Sequence, residues 1–383
     1  MERYDYIIAG AGCSGLSLLV HLIRSGKFSD KKILLTDRAP KNLNDHTWCF
    51  WEEEAGLFES VVSGRWSQLQ VHFPGFSRQF KIAPYQYKMI RADDFYRYCF
   101  ALIDQQSNID IRYGNIEALE THASGAVLTL SGVQIKADYI FSSVALKPLV
   151  KQPGRHYLLQ HFKGWVIETE TPAFNPQMAT LMDFRIPQTN GTSFIYVLPL
   201  TDRKALVEAT LFSGEVLPQA RYEHMLSDYL ATFLPGVVYN VLEEEYGVIP
   251  MSNHAYPAAH GRIIYLGTAG GRTKPSTGYT FKPIQAHSAQ LTSQLIATGH
   301  PYLKPQKHSA RFLFYDRTLL QLLANGPLPG AAIFERLFRQ NPSQRIFRFL
   351  DNATHLTEEL QLTLTLQKWP FLKAAFREIF KRG

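Results

Sequence analysis

The chain has 383 residues, 45% of them apolar, and a formal net charge of +7. That apolar fraction supplies a sizeable core and excludes a disordered or fibrous chain, while the length suggests two intimately joined domains or one elaborated one. Three cysteines, Cys13, Cys49 and Cys99, lack metal-type spacing, which argues against a metal site or a disulfide framework and for a reducing, cytoplasmic compartment.

From the start, Tyr4 to Ala9 reads as a buried strand, Gly10 to Gly15 as a glycine turn, and Leu16 to Arg24 as a helix whose apolar residues face a sheet. Lys32 to Thr36 is the next strand, so the opening predicts a right-handed βαβ unit. No basic leader precedes it, and no window reaches the roughly 18 uninterrupted apolar residues of a transmembrane helix. Gly10, Gly12 and Gly15 have the spacing of a dinucleotide-binding turn: Gly10 for the tight turn, Gly12 for the approach of a pyrophosphate, Gly15 for close helix–strand packing. The helix N-terminus, with Ser14 in its first turn, offers free N–H groups to phosphates. Asp37, 25 residues beyond Gly12, is placed to accept the hydroxyls of an adenosine ribose.

The segment 64–82 alternates enough to predict strands, and Ala92 to Asp104 a helix. Ile109 to Tyr113, Ala126 to Leu130 and Tyr139 to Ser142 read as short strands. From 159 to 212 the texture is strand-rich, with runs at Trp165 to Thr169, Ser193 to Leu198 and Ala205 to Phe212. Thr201-Asp202-Arg203 joins the last two as a hairpin. A helix near 220–233 precedes a strand at Arg262 to Leu266, a glycine-rich turn and a helix from Pro283 to Ala297. The glycine-rich segment, Gly267 to Gly271 followed by Pro275-Ser276-Thr277-Gly278-Tyr279, is expected to lay Gly267, Thr277 and Gly278 beside the cofactor. A glycine fingerprint near the N-terminus combined with a distant second segment favours FAD over NAD.

Everything beyond 305 reads as helical. Residues 301–383 hold 13 Lys and Arg against 6 Asp and Glu, an excess equal to that of the whole chain. Along 371–382, Leu372, Ala375, Phe376, Ile379 and Phe380 share one helical face, and Lys373, Arg377 and Lys381 stack on another. That is the pattern of an interfacial helix on an anionic lipid surface; a helix docked on the core with a solvated basic face fits it equally. A lipid surface is preferred to nucleic acid as the anionic partner.

The expected fold class is α/β. Residues 1–150 plus 245–300 form a Rossmann-type FAD-binding domain of the glutathione-reductase/hydroxylase kind. Residues 60–90 and 155–240 form an interleaved antiparallel sheet for the substrate, and 301–383 a basic helical region.

Several segments are more specific: Asn44-Asp45-His46-Thr47-Trp48, Gln160-His161-Phe162-Lys163-Gly164-Trp165, Leu181-Met182-Asp183-Phe184-Arg185, Tyr196-Val197-Leu198-Pro199, Ala205 to Thr210, and Ile249-Pro250-Met251. With the glycine segments they make the chain similar to the bacterial lycopene beta-cyclase family over nearly its whole length. The resemblance implies an isomerase, an intramolecular lyase, that closes the psi-ends of lycopene to beta-ionone rings, giving gamma-carotene and then beta-carotene. It further implies FAD that acts in its reduced form, NAD(P)H as reductant, and a cytoplasmic protein peripheral to the inner face of the cell membrane. Two departures stand out. Ala209 follows Glu208 where plant relatives often carry a second acid, and Thr268 follows Gly267 where many flavoprotein oxidoreductases have aspartate, which argues against an ordinary hydroxylase.

Ring closure on a polyene needs a proton on the terminal alkene, attack of the neighbouring double bond on the tertiary cation, and loss of a ring proton. The acid must be a carboxyl kept protonated near neutrality by an apolar site, and Glu208 is the candidate, with the reduced flavin as the other possible donor. On a strand over Ala205 to Phe212 it shares a face with Leu206, Thr210 and Phe212; a solvated acid paired with lysine is the bland alternative. Trp165, Phe194, Tyr196, Leu206 and Phe212 are expected to line the pocket, aromatic faces stabilising positive charge, though core packing is the default for each. Asp183 and Arg185 read as an ion pair, with flavin positioning the alternative. Arg91 resembles flavin-contacting arginines and reads equally as a surface residue; His46 and His161 read as packing histidines. Rival functions are a flavin monooxygenase acting on an isoprenoid and a noncatalytic isoprenoid carrier.

Overall fold

The computed structural model describes residues 1–144, 146, 151–304 and 310–380. It opens with the expected βαβ unit: β1 (Arg3–Ala9), α1 (Cys13–Ser25) and β2 (Ile33–Asp37). The chain continues through β3 (Thr47–Glu52), β4 (Val62–Trp66), β5 (Gln68–Phe73), β6 (Phe76–Lys81), β7 (Gln86–Arg91), α2 (Ala92–Ile103), β8 (Ile109–Tyr113), β9 (Ile116–His122), β10 (Gly125–Leu130) and β11 (Val133–Ser142). Then come β12 (Tyr157–Thr169), β13 (Met178–Asp183), β14 (Thr192–Pro199), β15 (Lys204–Ser213), α3 (Gln219–Phe233), β16 (Tyr239–Ser252), β17 (Ala259–His260), β18 (Ile263–Tyr265) and α4 (Phe281–Thr298). Helices α5 (Ala310–Asn325), α6 (Gly330–Gln340), α7 (Ser343–Leu350), α8 (Leu356–Thr365) and α9 (Lys368–Phe380) complete it.

One sheet has the order β17-β18-β11-β1-β2-β8, with the hairpin of β9 and β10 joined at β11. β1 pairs in parallel with both β2 and β11. Such a central strand is covered on both faces, which is why Ile7, Ile8 and Ala9 form an unbroken apolar run rather than an alternation. On one face Tyr6 and Ile8 pack with Leu16, Leu19 and Leu22 of α1 and Leu291 and Leu295 of α4. On the other, Ile7 and Ala9 meet Leu128 and Ala137 of the β10–β11 hairpin.

The second sheet has the order β16-β12-β15-β14-β13-β5-β6 and is antiparallel apart from the β13–β5 pair. Its two faces have different jobs. One packs Val207, Ile195 and Ile167 under α3 through Leu226, Tyr229 and Leu230. The other packs Phe194, Leu206 and Phe212 against β3, β7 and helices α6 and α7, through Trp51, Tyr87, Phe334 and Phe347. A small sheet, β3-β7-β4, bridges the two large ones.

Several strands exceed or escape the sequence reading. β16 is 14 residues long and pairs along β12, so a boundary at 245 falls inside it. Its pattern is mixed because it lies at the sheet edge, where polar residues are tolerated. β3 and β9 were not anticipated either, and β7, inside the 60–90 segment expected in the substrate sheet, pairs with β3 and β4. Among the described residues no helix is long and apolar enough to cross a membrane.

Candidate active site

The first glycine turn separates packing from ligand approach. Gly10 has φ +104°, and a Cβ there would run into Ser143. A Cβ on Gly15 would overlap the carbonyl of Gly10, so helix and turn touch only because Gly15 has none. At Gly12 the added carbon would meet nothing within 4 Å. Gly12 is also the N-cap of α1 without a side-chain hydrogen bond, so the first N–H groups of the helix face open space. That is a cradle for a pyrophosphate, lying at the positive end of the helix dipole. Asp37 closes β2 beside it, its Oδ2 accepting the Ala11 N–H at 2.6 Å.

The second glycine segment is seated on the first. Ser14 lies where a Cβ on Gly267 would have to go, so the two segments meet without intervening side chains. Gly278, at φ +73°, makes room in the same way for Gln160 of β12. Among the described residues, Thr277 Oγ1, Gln160 Oε1, Arg272 Nε and Gln285 Oε1 are buried without a hydrogen-bond partner. Buried polar groups rarely stay unpaired, so this lining suits a bound ligand rich in hydrogen-bonding atoms. A dinucleotide with its pyrophosphate at Gly12 fits these residues. Gln160, Arg272 and Gln285 were not singled out from sequence; nothing in a linear pattern reveals an orphaned atom.

Beyond Gly278 the segment enters an aromatic cluster. Tyr279 stands edge-on to Trp51, ring centroids 4.6 Å apart, and its hydroxyl lies 3.5 Å from that of Tyr87. Tyr196 lies near enough to Tyr279 for the two hydroxyls to act on each other. Burial pushes the Tyr279 hydroxyl up to about 12 and those of Tyr87 and Tyr196 well above the usual tyrosine range.

Glu208, half-buried by its exposed surface but enclosed by protein on all sides, stands beside this cluster. β15 pairs Glu208 with Tyr196 of β14 and with Gly164 of β12, so all three share one face. Its Oε1 accepts a 2.6 Å hydrogen bond from Thr210. Burial and the nearby carboxylate of Glu245 push the Glu208 carboxyl well above the ordinary range, against the opposing effect of the Thr210 hydroxyl. Both effects favour its neutral, protonated form. Glu245, on β16, was missed from sequence. It is buried, Thr47 donates to its Oε2 at 2.6 Å, and burial raises its carboxyl too.

The remaining expectations sort by sheet face. Phe194, Leu206 and Phe212 share the Glu208 face, with Tyr196 packed against the same cluster. Trp165 is a correction. It pairs with Val207, one residue out of step with Glu208, and packs with Ile167, Ile195 and Leu226 beneath α3. Side chains alternate along a strand, so it points to the face opposite Glu208. Asp183 also lies on the reverse side, fully buried, bound by Arg185 at 2.6 Å and by the hydroxyl of Tyr229 at 2.9 Å. The ion-pair reading fits that geometry. Arg91 caps the approach to α2 and is engaged by Glu243 at 2.8 and 3.0 Å. His161 is buried between Ser213 and Tyr222, while His46, expected to be packed, is exposed because its loop runs along the surface. Among the described residues no group of His, Cys, Asp and Glu is arranged to hold a metal.

Comparisons with known proteins agree with this architecture. A family model described as Lycopene cyclase protein matches residues 5–376. The lycopene beta-cyclase of Paracoccus sp. (strain N81106 / MBIC 01143) is 26% identical over 385 residues, covering 94% of this chain and 93% of its own. That of Pantoea ananas is 24% identical over 390 residues, with 97% of each chain covered. Among solved structures, Klebsiella pneumoniae HpxO complexed with FAD and uric acid superposes with a TM-score of 0.64 over 92% of this chain and 96% of that one, at 13% identity, a likeness of fold. With a family model matched over nearly its full length, the chain belongs to the lycopene cyclase family.

Proposed function

We propose that the chain is a lycopene beta-cyclase that closes the psi-ends of lycopene to beta-ionone rings, giving gamma-carotene and then beta-carotene, with Glu208 as the proton donor. One observation carries this reading: Glu208, whose carboxyl is pushed towards its neutral form, stands among tyrosine rings that the second glycine segment connects to the dinucleotide cradle. Protonating an alkene demands an acid that is loaded at working pH, and burial supplies it. The rings of Tyr87, Tyr196, Tyr279 and Trp51 offer their negative faces to the tertiary cation. The same lining excludes the water that would trap that cation as an alcohol.

The cradle is assigned to FAD, with Gly12, Ser14 and the first turn of α1 holding the pyrophosphate, Asp37 the adenosine ribose, and Gly267, Thr277 and Gly278 the ribityl side. Bound and reduced by NAD(P)H, FAD would supply an electron-rich ring beside the developing cation. Such an enzyme takes no net electrons from its cofactor.

A C40 hydrocarbon resides in a bilayer, and the C-terminal helices fit contact with one. Helix α9 docks through Phe371, Ala374 and Glu378, leaving Leu372, Phe376 and Ile379 in solvent together with Trp369, which is 83% exposed. Lys368, Lys373 and Arg377 are exposed around that stripe. Leu356, Leu360 and Leu364 form a second exposed row on α8. Apolar residues flanked by cations are the composition of a helix lying in an anionic lipid surface. The protein is accordingly assigned to the inner face of the cell membrane. Lys381 lies outside the described residues, as does the Phe380 side chain.

The test is anaerobic incubation of the purified protein with FAD, NADPH and lycopene in liposomes, followed by pigment chromatography. A product of unchanged mass with closed rings is expected. Oxygen-dependent gain of mass, or unaltered lycopene, defeats the reading.

A further inference from the structure

Glu208 and Glu245 come from strands that do not touch. β15 and β16 pair with opposite edges of β12, and Gly164 of β12 is in register with both acids. Strand spacing of about 4.8 Å puts the two glutamate backbones roughly 10 Å apart. Any side chain on the middle strand would stand between them. Gly164 has none: a Cβ there would lie 3.0 Å from Cγ and 3.1 Å from Oε1 of Glu245, and 2.9 Å from Cδ1 of Leu206. The Glu245 carboxyl thus leans over Gly164, the position in register with Glu208, and the two carboxyls act on each other electrostatically.

Each carboxyl has one oxygen already engaged. Thr47 supplies the donor to Oε2 of Glu245, and Thr210 the donor to Oε1 of Glu208. Oε1 of Glu245 is buried and finds no N–H or hydroxyl partner among the described residues. Two carboxylates cannot hydrogen-bond to one another; a carboxylic acid and a carboxylate can. One proton between the pair satisfies the buried oxygen and halves the charge confined there.

Resting on the cyclase reading, we propose that Glu245 is the second half of a one-proton carboxyl pair with Glu208, meeting it across Gly164 and keeping the acid loaded through each ring closure. The proton leaves Glu208 for the terminal alkene carbon, whose π electrons form the new C–H bond. The neighbouring double bond supplies the electron pair of the ring-closing C–C bond. The pair is then doubly ionised beside a cation. Like charges at this separation raise each other's proton affinity, so the dianion takes the ring proton as the C–H electrons form the ring double bond. The pair ends with one proton, as it began, and solvent need not enter between turnovers.

The groups around the pair are Cys49 of β3, Tyr87 of β7, Tyr196 of β14 and Tyr279 near Glu208, with His46 and Arg91 acting on Glu245 and Glu243 engaging Arg91. Of these, only the carboxylate of Glu245 substantially raises Glu208 beyond what burial does. Glu245 is therefore a positioning residue whose loss has a signature in pH.

The experiment is the pH profile of cyclisation for wild type, Glu245→Gln and Gly164→Ala, each loaded with FAD. Glu245→Gln is expected to lower kcat by about tenfold or more. It should also move the alkaline limb, where Glu208 loses its proton, to lower pH. Gly164→Ala retains both carboxyls but crowds their meeting point, and should move the limb in the same direction by less. An infrared band from a buried protonated carboxyl should vanish in Glu208→Gln and shift in Glu245→Gln. A fall in rate with the limb and band unmoved would mark Glu245 as merely structural and overturn the proposal, as would a wild-type profile in both variants. A wild type that closes no ring sinks the cyclase reading instead.

Discussion

Thr210 donates its hydroxyl to Glu208 at 2.6 Å from two residues along the same face of β15. This bond fixes one carboxyl oxygen and leaves the other to carry and deliver the proton. Glu208→Gln keeps the shape and the hydrogen bond but has no acidic proton. It should cut turnover by a factor of about 10² to 10⁴ while FAD binding, read by flavin absorbance, stays at the wild-type level. An active Gln variant would remove Glu208 from the chemistry. Thr210→Val removes a bond that favours the ionised form, so its alkaline activity limb should move to higher pH.

The same acid sets a stability cost with a definite sign. Its folded carboxyl titrates well above the usual value because of burial and Glu245. As pH rises from the unfolded value, near 4.3, towards the folded one, the unfolded chain ionises first and binds fewer protons. Stability therefore falls with rising pH across that window and stays lowered above it. Glu208→Gln has no such slope at this position. Its melting temperature should exceed that of wild type at pH 7 and above, with the difference closing near pH 4; equal melting curves throughout would contradict the buried-acid geometry.

Gly12 and Gly15 are three residues apart and should fail differently. Gly12→Val places its side chain in the open space above α1, where no protein atom lies within 4 Å of the first carbon. It should fold with a near-normal melting temperature yet lose FAD affinity by about a hundredfold, the equivalent of two or three lost phosphate hydrogen bonds. Gly15→Ala drives a carbon into the carbonyl of Gly10 and should lower the melting temperature itself. Thermal melts and flavin titration on the same samples separate the two.

Local chemistry was legible in the sequence wherever it is written in spacing. The glycine turn, the βαβ opening and the alternation that puts Glu208 with Leu206, Thr210 and Phe212 all depend on residues close along the chain. Registry between distant strands is not so written. The run Glu243-Glu244-Glu245 looks like one solvated acidic patch. In the fold its members diverge: Glu243 binds Arg91, Glu244 binds Lys163, and Glu245 is buried near Glu208. Only the position of Gly164 in the middle strand hints that two acids meet, and that hint needs the pairing of β12 to both neighbours. Trp165 was misplaced for the same reason, since its face is decided by register.

The amphipathic pattern of α9 likewise specifies a face without saying which way it turns. Leu372 and Ile379 are each more than half exposed, so replacing both with serine removes little native packing. The melting temperature of the double variant should stay within a degree or two of wild type. Burying two such side chains is worth roughly 1.5–3 kcal/mol each, so in a membrane-bound state their loss should weaken partitioning onto anionic vesicles by tenfold or more. Ala374→Glu is the converse case. It puts a charge on the docked face against Leu322 and Ile333 and should destabilise the fold. Vesicle sedimentation of the serine variant decides the matter: undiminished binding would leave the exposed stripe without a lipid role, whatever the enzyme does in solution.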